Sequence, residues 1–143
     1  MISAPVGRVR FFLLAVLLAA AVGCGGEVKR SRVEVNGNIK FADGKLLPAG
    51  TTVLLNPSEG GAGTASGKTE ADGSFKLTHT SGGGGAEVGK YTVKLLAPEG
   101  DKEFYKIVPM DVVDGDVLVA EIKEGMGPLE LTVPKATSGK KQN

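Results

Sequence analysis

The stretch Arg32-Val33-Glu34-Val35-Asn36-Gly37-Asn38-Ile39-Lys40-Phe41 decides how the rest of the chain reads. Val33, Val35, Ile39 and Phe41 fall on one side of an extended chain, with Gly37 between them. Glu34, Asn36, Asn38 and Lys40 fall on the other. Period-two alternation of this kind predicts a strand with one face buried and one face in water. Asp43-Gly44 follows directly as a turn pair.

The same alternation returns along the chain. After Pro48-Ala49-Gly50, the segment Thr51–Asn56 points Val53 and Leu55 inward, and Pro57 ends it because proline has no N–H for a ladder. Gly67–Thr78 reads as a hairpin turning at Asp72-Gly73, with Phe75 and Leu77 inward on its second arm. Tyr91, Val93 and Leu95 share a face in Tyr91–Leu96. Leu118, Ala120 and Ile122 do so in Val117–Ile122, and Leu129, Leu131 and Val133 in a last strand. Phe104–Pro109 is apolar but interrupted, and no segment after residue 24 sustains a helical period. About seven short strands separated by turns at roughly ten-residue spacing predict an all-β sandwich. The Gly- and Ser-rich stretches Ser58–Ser66 and Ser81–Gly85 read as flexible loops, and 22 glycines in 143 residues suit a turn-rich domain.

Ahead of this domain lies a different kind of sequence. Arg8 and Arg10 precede Phe11–Val22, a run without a charge, and Gly23 leads to Cys24, the single cysteine. The run is short for a membrane span and suits the core of a signal peptide. Ala21-Val22-Gly23-Cys24 resembles the lipobox of bacterial lipoproteins, with Ala21 where leucine is usual. On this reading residues 1–23 are a lipoprotein signal, Cys24 is the lipidation site, and 24–31 form a tether. Residues 32–134 form the sandwich, and 135–143 a polar, basic, disordered tail. Three other readings compete: a simple secretory signal with a free thiol, an uncleaved anchor, and a buried packing cysteine. An odd cysteine in an exported chain needs an explanation, and acylation supplies one.

Series of residues in the domain resemble the carboxypeptidase regulatory-like domain. They are Val35-Asn36-Gly37-Asn38-Ile39, then Asp43-Gly44 through Pro48-Ala49-Gly50-Thr51-Thr52-Val53, Thr69-Glu70-Ala71-Asp72-Gly73-Ser74-Phe75, and Gly89-Lys90-Tyr91-Thr92-Val93. The ending, Ile107-Val108-Pro109 with Leu118–Lys123 and Gly125–Leu131, is similar to small planctomycete lipoproteins that carry this domain. The resemblance implies a transthyretin-like, immunoglobulin-like sandwich and no catalytic residues. Fold alone does not settle function.

Several chemistries lack support in the sequence. The 17 basic and 16 acidic residues are nearly balanced, and no basic cluster suggests nucleic acid. The absence of tryptophan argues against a stacked-aromatic glycan platform. His79, the single histidine, precedes the glycine run and reads as a solvated loop residue. Asp111, Asp114 and Asp116 read as solvated turn carboxylates, because their spacing does not match a calcium loop. No cofactor or metal is expected, and no enzyme activity.

The function that follows is a non-catalytic lipoprotein of the cell envelope, held to a membrane through Cys24 and serving as a structural or interaction module. Gly25, where aspartate would signal inner-membrane retention, favours the outer membrane. An envelope protein is the expected partner besides the membrane. The alternative is a secreted or periplasmic module binding peptide, glycan or calcium through the Gly-rich loops.

Overall fold

A computed structural model describes residues 30–60 and 62–135. The signal segment, Cys24, the tether up to Lys29 and the tail from residue 136 lie outside the described residues. The described residues are mostly β, with ten strands and two short helices. The strands are β1 (Arg32–Val33), β2 (Asn36–Phe41), β3 (Thr52–Pro57), β4 (Ala65–Lys68) and β5 (Ser74–Lys76). They continue with β6 (Thr78–His79), β7 (Ala86–Glu87), β8 (Gly89–Leu96), β9 (Val119–Ile122) and β10 (Leu129–Val133). Helices α1 (Phe104–Ile107) and α2 (Met110–Asp114) lie between β8 and β9.

Two larger sheets enclose the core. One has the order β6-β4-β3-β8-β9, the other β10-β2-β5, and β1 and β7 form a separate pair. The β3–β8 ladder runs antiparallel from Thr52↔Leu96 to Pro57↔Tyr91. Its inward residues Val53, Leu55, Tyr91, Val93 and Leu95 are fully buried. They meet Ile39, Phe75, Leu131 and Val133 from the facing sheet in one hydrophobic cluster. The alternation read from the sequence is therefore the partition between core and water, and it gives a sandwich-like all-β domain.

The structure departs from the sequence reading in three places. The expected strand Arg32–Phe41 divides into β1 and β2, because the chain changes partners between Val33 and Asn36. Arg32 and Val33 pair with Glu87 and Ala86, whereas Asn36–Asn38 pair with Ser74–Lys76 on β5. The expected hairpin does turn at Asp72-Gly73, with Glu70 N–H donating to the Ser74 carbonyl at 2.8 Å. Its arms, however, belong to different sheets, β4 to one and β5 to the other. With the split into β1 and β2 and the additional short strands β6 and β7, about seven expected strands become ten. Residues 104–114, read as irregular, form α1 and α2. Helices of four and five residues are too short to show a period, and they bury only Phe104 and Val112. Gly115 closes α2 with φ 87°, a conformation that glycine adopts without a Cβ penalty.

The pairing of β10 with β2 is parallel, from Leu129↔Gly37 to Val133↔Phe41. Gly37 makes it possible. A Cβ at this position would lie 2.6 Å from the Leu129 carbonyl oxygen and 2.9 Å from Phe75 Cε1. Gly37→Ala should therefore destabilise the domain by about 1–3 kcal/mol through overpacking. Gly127→Ala, where a Cβ meets nothing within 4 Å, should change stability by less than about 0.5 kcal/mol. Urea unfolding of the two variants checks the difference.

Candidate functional site

Of the three buried polar residues among those described, Thr51 and Thr69 bond to each other and to Pro48, whereas His79 sits where the N-terminal strand meets the glycine-rich loops. β1 holds Arg32, β6 holds His79, the following turn holds Ser81, and β7 holds Glu87. His79 is only 6% exposed. This corrects the expectation of a solvated loop histidine. The residue sits on a strand, paired with Ala65, and the ring is covered by the loop after β3.

The Nδ1 edge of the imidazole is crowded with donors, and the Nε2 edge is not hydrogen-bonded. Arg32 Nη2 lies 3.1 Å from His79 Nδ1, and the Ser81 backbone N–H donates to the same nitrogen at 3.1 Å. Guanidinium and backbone N–H groups can only donate, so Nδ1 is an acceptor and the neutral ring carries its proton on Nε2. Ser81 Oγ is 2.7 Å from Nδ1 and accepts from Arg32 Nη2 at 3.0 Å. Nε2 lies 3.5 Å from Glu87 Oε1 but has no well-aligned hydrogen bond. Glu87 Oε2 accepts the Gly63 N–H at 3.1 Å. Gly63 packs so closely on the ring that a Cβ there would overlap Nε2.

The arginines also fasten the chain entry to the loops. Arg32 Nη1 donates to the Gly82 carbonyl at 2.7 Å, and Arg30 Nη2 to the Gly60 carbonyl at 2.8 Å. Val88 N–H donates to the Ser31 carbonyl at 2.9 Å. Arg30 and Ser31, read from the sequence as the end of a tether, are thus docked on the domain. Ser81–Gly85, read as a flexible stretch, is a hydrogen-bonded turn. His79 N–H donates to the Gly83 carbonyl, and Gly85 N–H to the Leu77 carbonyl.

The remaining sequence-derived sites fall elsewhere. Cys24 lies outside the described residues. Asp111, Asp114 and Asp116 stand exposed on and after α2. Among the described residues, no three His, Cys, Asp or Glu side chains come together as metal ligands. Glu87, Arg32 and Ser81 were not visible as a site from the sequence. Arg32 lies 47 residues from His79, and only the short His79-x-Ser81 spacing hints at a contact. Ser81, His79 and Glu87 form a chain of polar contacts, but Arg32 saturates the acceptors that an activated serine would need free.

At the opposite end of the sandwich, Leu46, Tyr105, Ile107 and Met110 are exposed. Phe41, Asp43, Lys45, Leu46, Ile107 and Lys135 line an open groove of about 310 Å³ there. No family model, no curated protein and no solved structure matches the chain.

Tyr91 couples the site to the core. Its hydroxyl donates to the Glu87 carbonyl at 2.7 Å. Burial, followed by the Glu87 charge, raises the phenol above its ordinary value of 10.0. An unfolded chain releases this proton first, so stability should fall as pH rises past about 10. Tyr91→Phe should flatten that alkaline decline and cost about 1 kcal/mol at neutral pH through the lost hydrogen bond. Chemical denaturation across an alkaline pH series reads both effects.

Proposed function

We propose that this chain is a lipoprotein of the cell envelope whose β domain is a non-catalytic structural or interaction module. Residues 1–23 are removed, Cys24 is acylated, and the domain hangs from a membrane, with the outer membrane favoured by Gly25. The observation that carries this reading is a lone cysteine closing the single long apolar run, Phe11–Val22, behind Arg8 and Arg10. The domain is read as a carboxypeptidase regulatory-like sandwich of the transthyretin-like, immunoglobulin-like type. Its support is the order of the Asp-Gly, Thr–Asp-Gly–Phe and Gly-x-Tyr-x-Val motifs along the chain.

No helix among the described residues is long and apolar enough to cross a membrane. Attachment on this reading is the work of acyl chains, of which two or more hold stably. The docking of Arg30 and Ser31 leaves only residues 25–29 between the acylated cysteine and the domain. Fully extended, such a spacer reaches about 20 Å. The end bearing the Gly-rich loops therefore lies near the headgroups, and the end bearing Leu46, Tyr105 and Ile107 points away. The Gly-rich loops already accept Arg30 and Arg32, which favours the anchored module over a ligand site in those loops.

The wild-type protein should sediment with membranes and incorporate labelled palmitate. Cys24→Ser should abolish the label and reduce the membrane-bound fraction at least about tenfold, since loss of the acyl chains removes about 0.8 kcal/mol per buried methylene. Unchanged labelling and fractionation would overturn the reading.

A further inference from the structure

His79 is the one histidine of the chain, and it is buried at the point where β1 is fastened. Its Nδ1 faces two donors that cannot reverse, Arg32 Nη2 and the Ser81 backbone N–H, each at 3.1 Å. Only a neutral ring satisfies both. A second proton, taken from solvent, would set an N–H at Nδ1 against a guanidinium. The same proton would improve the other edge, where Nε2 has no aligned partner and Glu87 Oε1 is 3.5 Å away.

The neighbours differ in how they can respond. Glu87 is held by the Gly63 N–H, and Tyr91 holds its backbone carbonyl. Gly63 is packed on the ring and cannot give way without moving its loop. Ser81 can rotate its hydroxyl and accept from Nδ1. Arg30 is engaged separately at Gly60. Arg32 is exposed and returns to water at little cost. It shares the fastening of β1 with the Arg30–Gly60 and Val88–Ser31 hydrogen bonds, the packing of Val33 on the core and two residue pairs with β7. Val35 and β2 do not depend on it. The Val35 carbonyl accepts the Leu77 N–H, and β2 is paired on both sides.

We propose that His79 is an acid-operated latch on the N-terminal strand. The neutral ring holds residues 30–33 against the domain through Arg32. Protonation turns the ring toward Glu87 and the Ser81 hydroxyl and away from the Ser81 backbone N–H, expels Arg32, and frees β1 while the sandwich stays folded. The latch stands without any lipid. Its consequence for an anchored protein rests on the function proposed above: freeing residues 30–33 would nearly double the spacer between Cys24 and the domain.

Hydrogen exchange by mass spectrometry on the detergent-extracted full-length protein tests this between about pH 8 and about pH 5. Rates are corrected for the intrinsic pH dependence of exchange. The imidazole NMR signals, which can come only from His79, report protonation. Segments 30–34 and 86–88 should lose protection at least about tenfold as the ring protonates, with 89–96 unchanged. His79→Asn, whose amide oxygen accepts but does not titrate, should keep the strand closed in acid. Arg32→Gln should open it at every pH. Flat protection of 30–34 across the wild-type titration would overturn the latch, as would its loss together with 89–96. Should His79→Asn not fold, the wild-type titration and Arg32→Gln decide. Cys24→Ser should open as the wild type does; if it opens but remains in the membrane, the anchor fails and the latch stands.

Discussion

The antiparallel ladder between β3 and β8 is the contact on which everything else is hung. Six residue pairs align Val53 and Leu55 with Leu95 and Val93, and all four side chains are fully buried. With Tyr91, they form the floor against which the second sheet packs. β4 and β9 extend this ladder on either side. At one end a buried polar knot locks its start: Thr51 N–H donates to Thr69 Oγ1, and both threonine hydroxyls donate to the Pro48 carbonyl. Satisfying these groups is what permits two threonines in a core, since an unpaired buried hydroxyl costs about 1–3 kcal/mol.

The other end of the ladder carries the arginine–histidine–glutamate cluster. There the polar groups serve attachment more than packing. Arg30 and Arg32 reach loop carbonyls that have no side chain in the way, because the partners are Gly60 and Gly82. Glycine here provides bare backbone as an acceptor surface. The chain entry is thereby joined to loops far away in sequence, and a segment resembling linker becomes part of the domain.

The strands that line the core were legible in the sequence because burial imposes period two on them. Val53/Leu55, Tyr91/Val93/Leu95 and Leu129/Leu131/Val133 all point where alternation put them. The turns at Asp43-Gly44 and Asp72-Gly73 were legible for the same local reason, and Gly44 and Gly73 adopt φ of 85° and 81°. Partner choice was not legible. Nothing within Arg32–Phe41 records that its first two residues join β7 and its last six join β5 and β10. The burial of His79 depends on Gly63, Glu87 and Arg32, which no local window contains. Helices α1 and α2 were hidden because one turn of helix is shorter than the window that would reveal it.

The parallel pairing of β2 with β10 means that the described chain enters at one end of the sandwich and leaves at the other. Tension applied between the two ends would load the five residue pairs from Leu129↔Gly37 to Val133↔Phe41 in shear, all at once. A hairpin arrangement would instead have peeled them open one pair at a time. Outside that ladder, the small β1–β7 pair would take the first strain and yield before it. The domain is thus built like a link in a chain, with a weak coupling in series with a strong one.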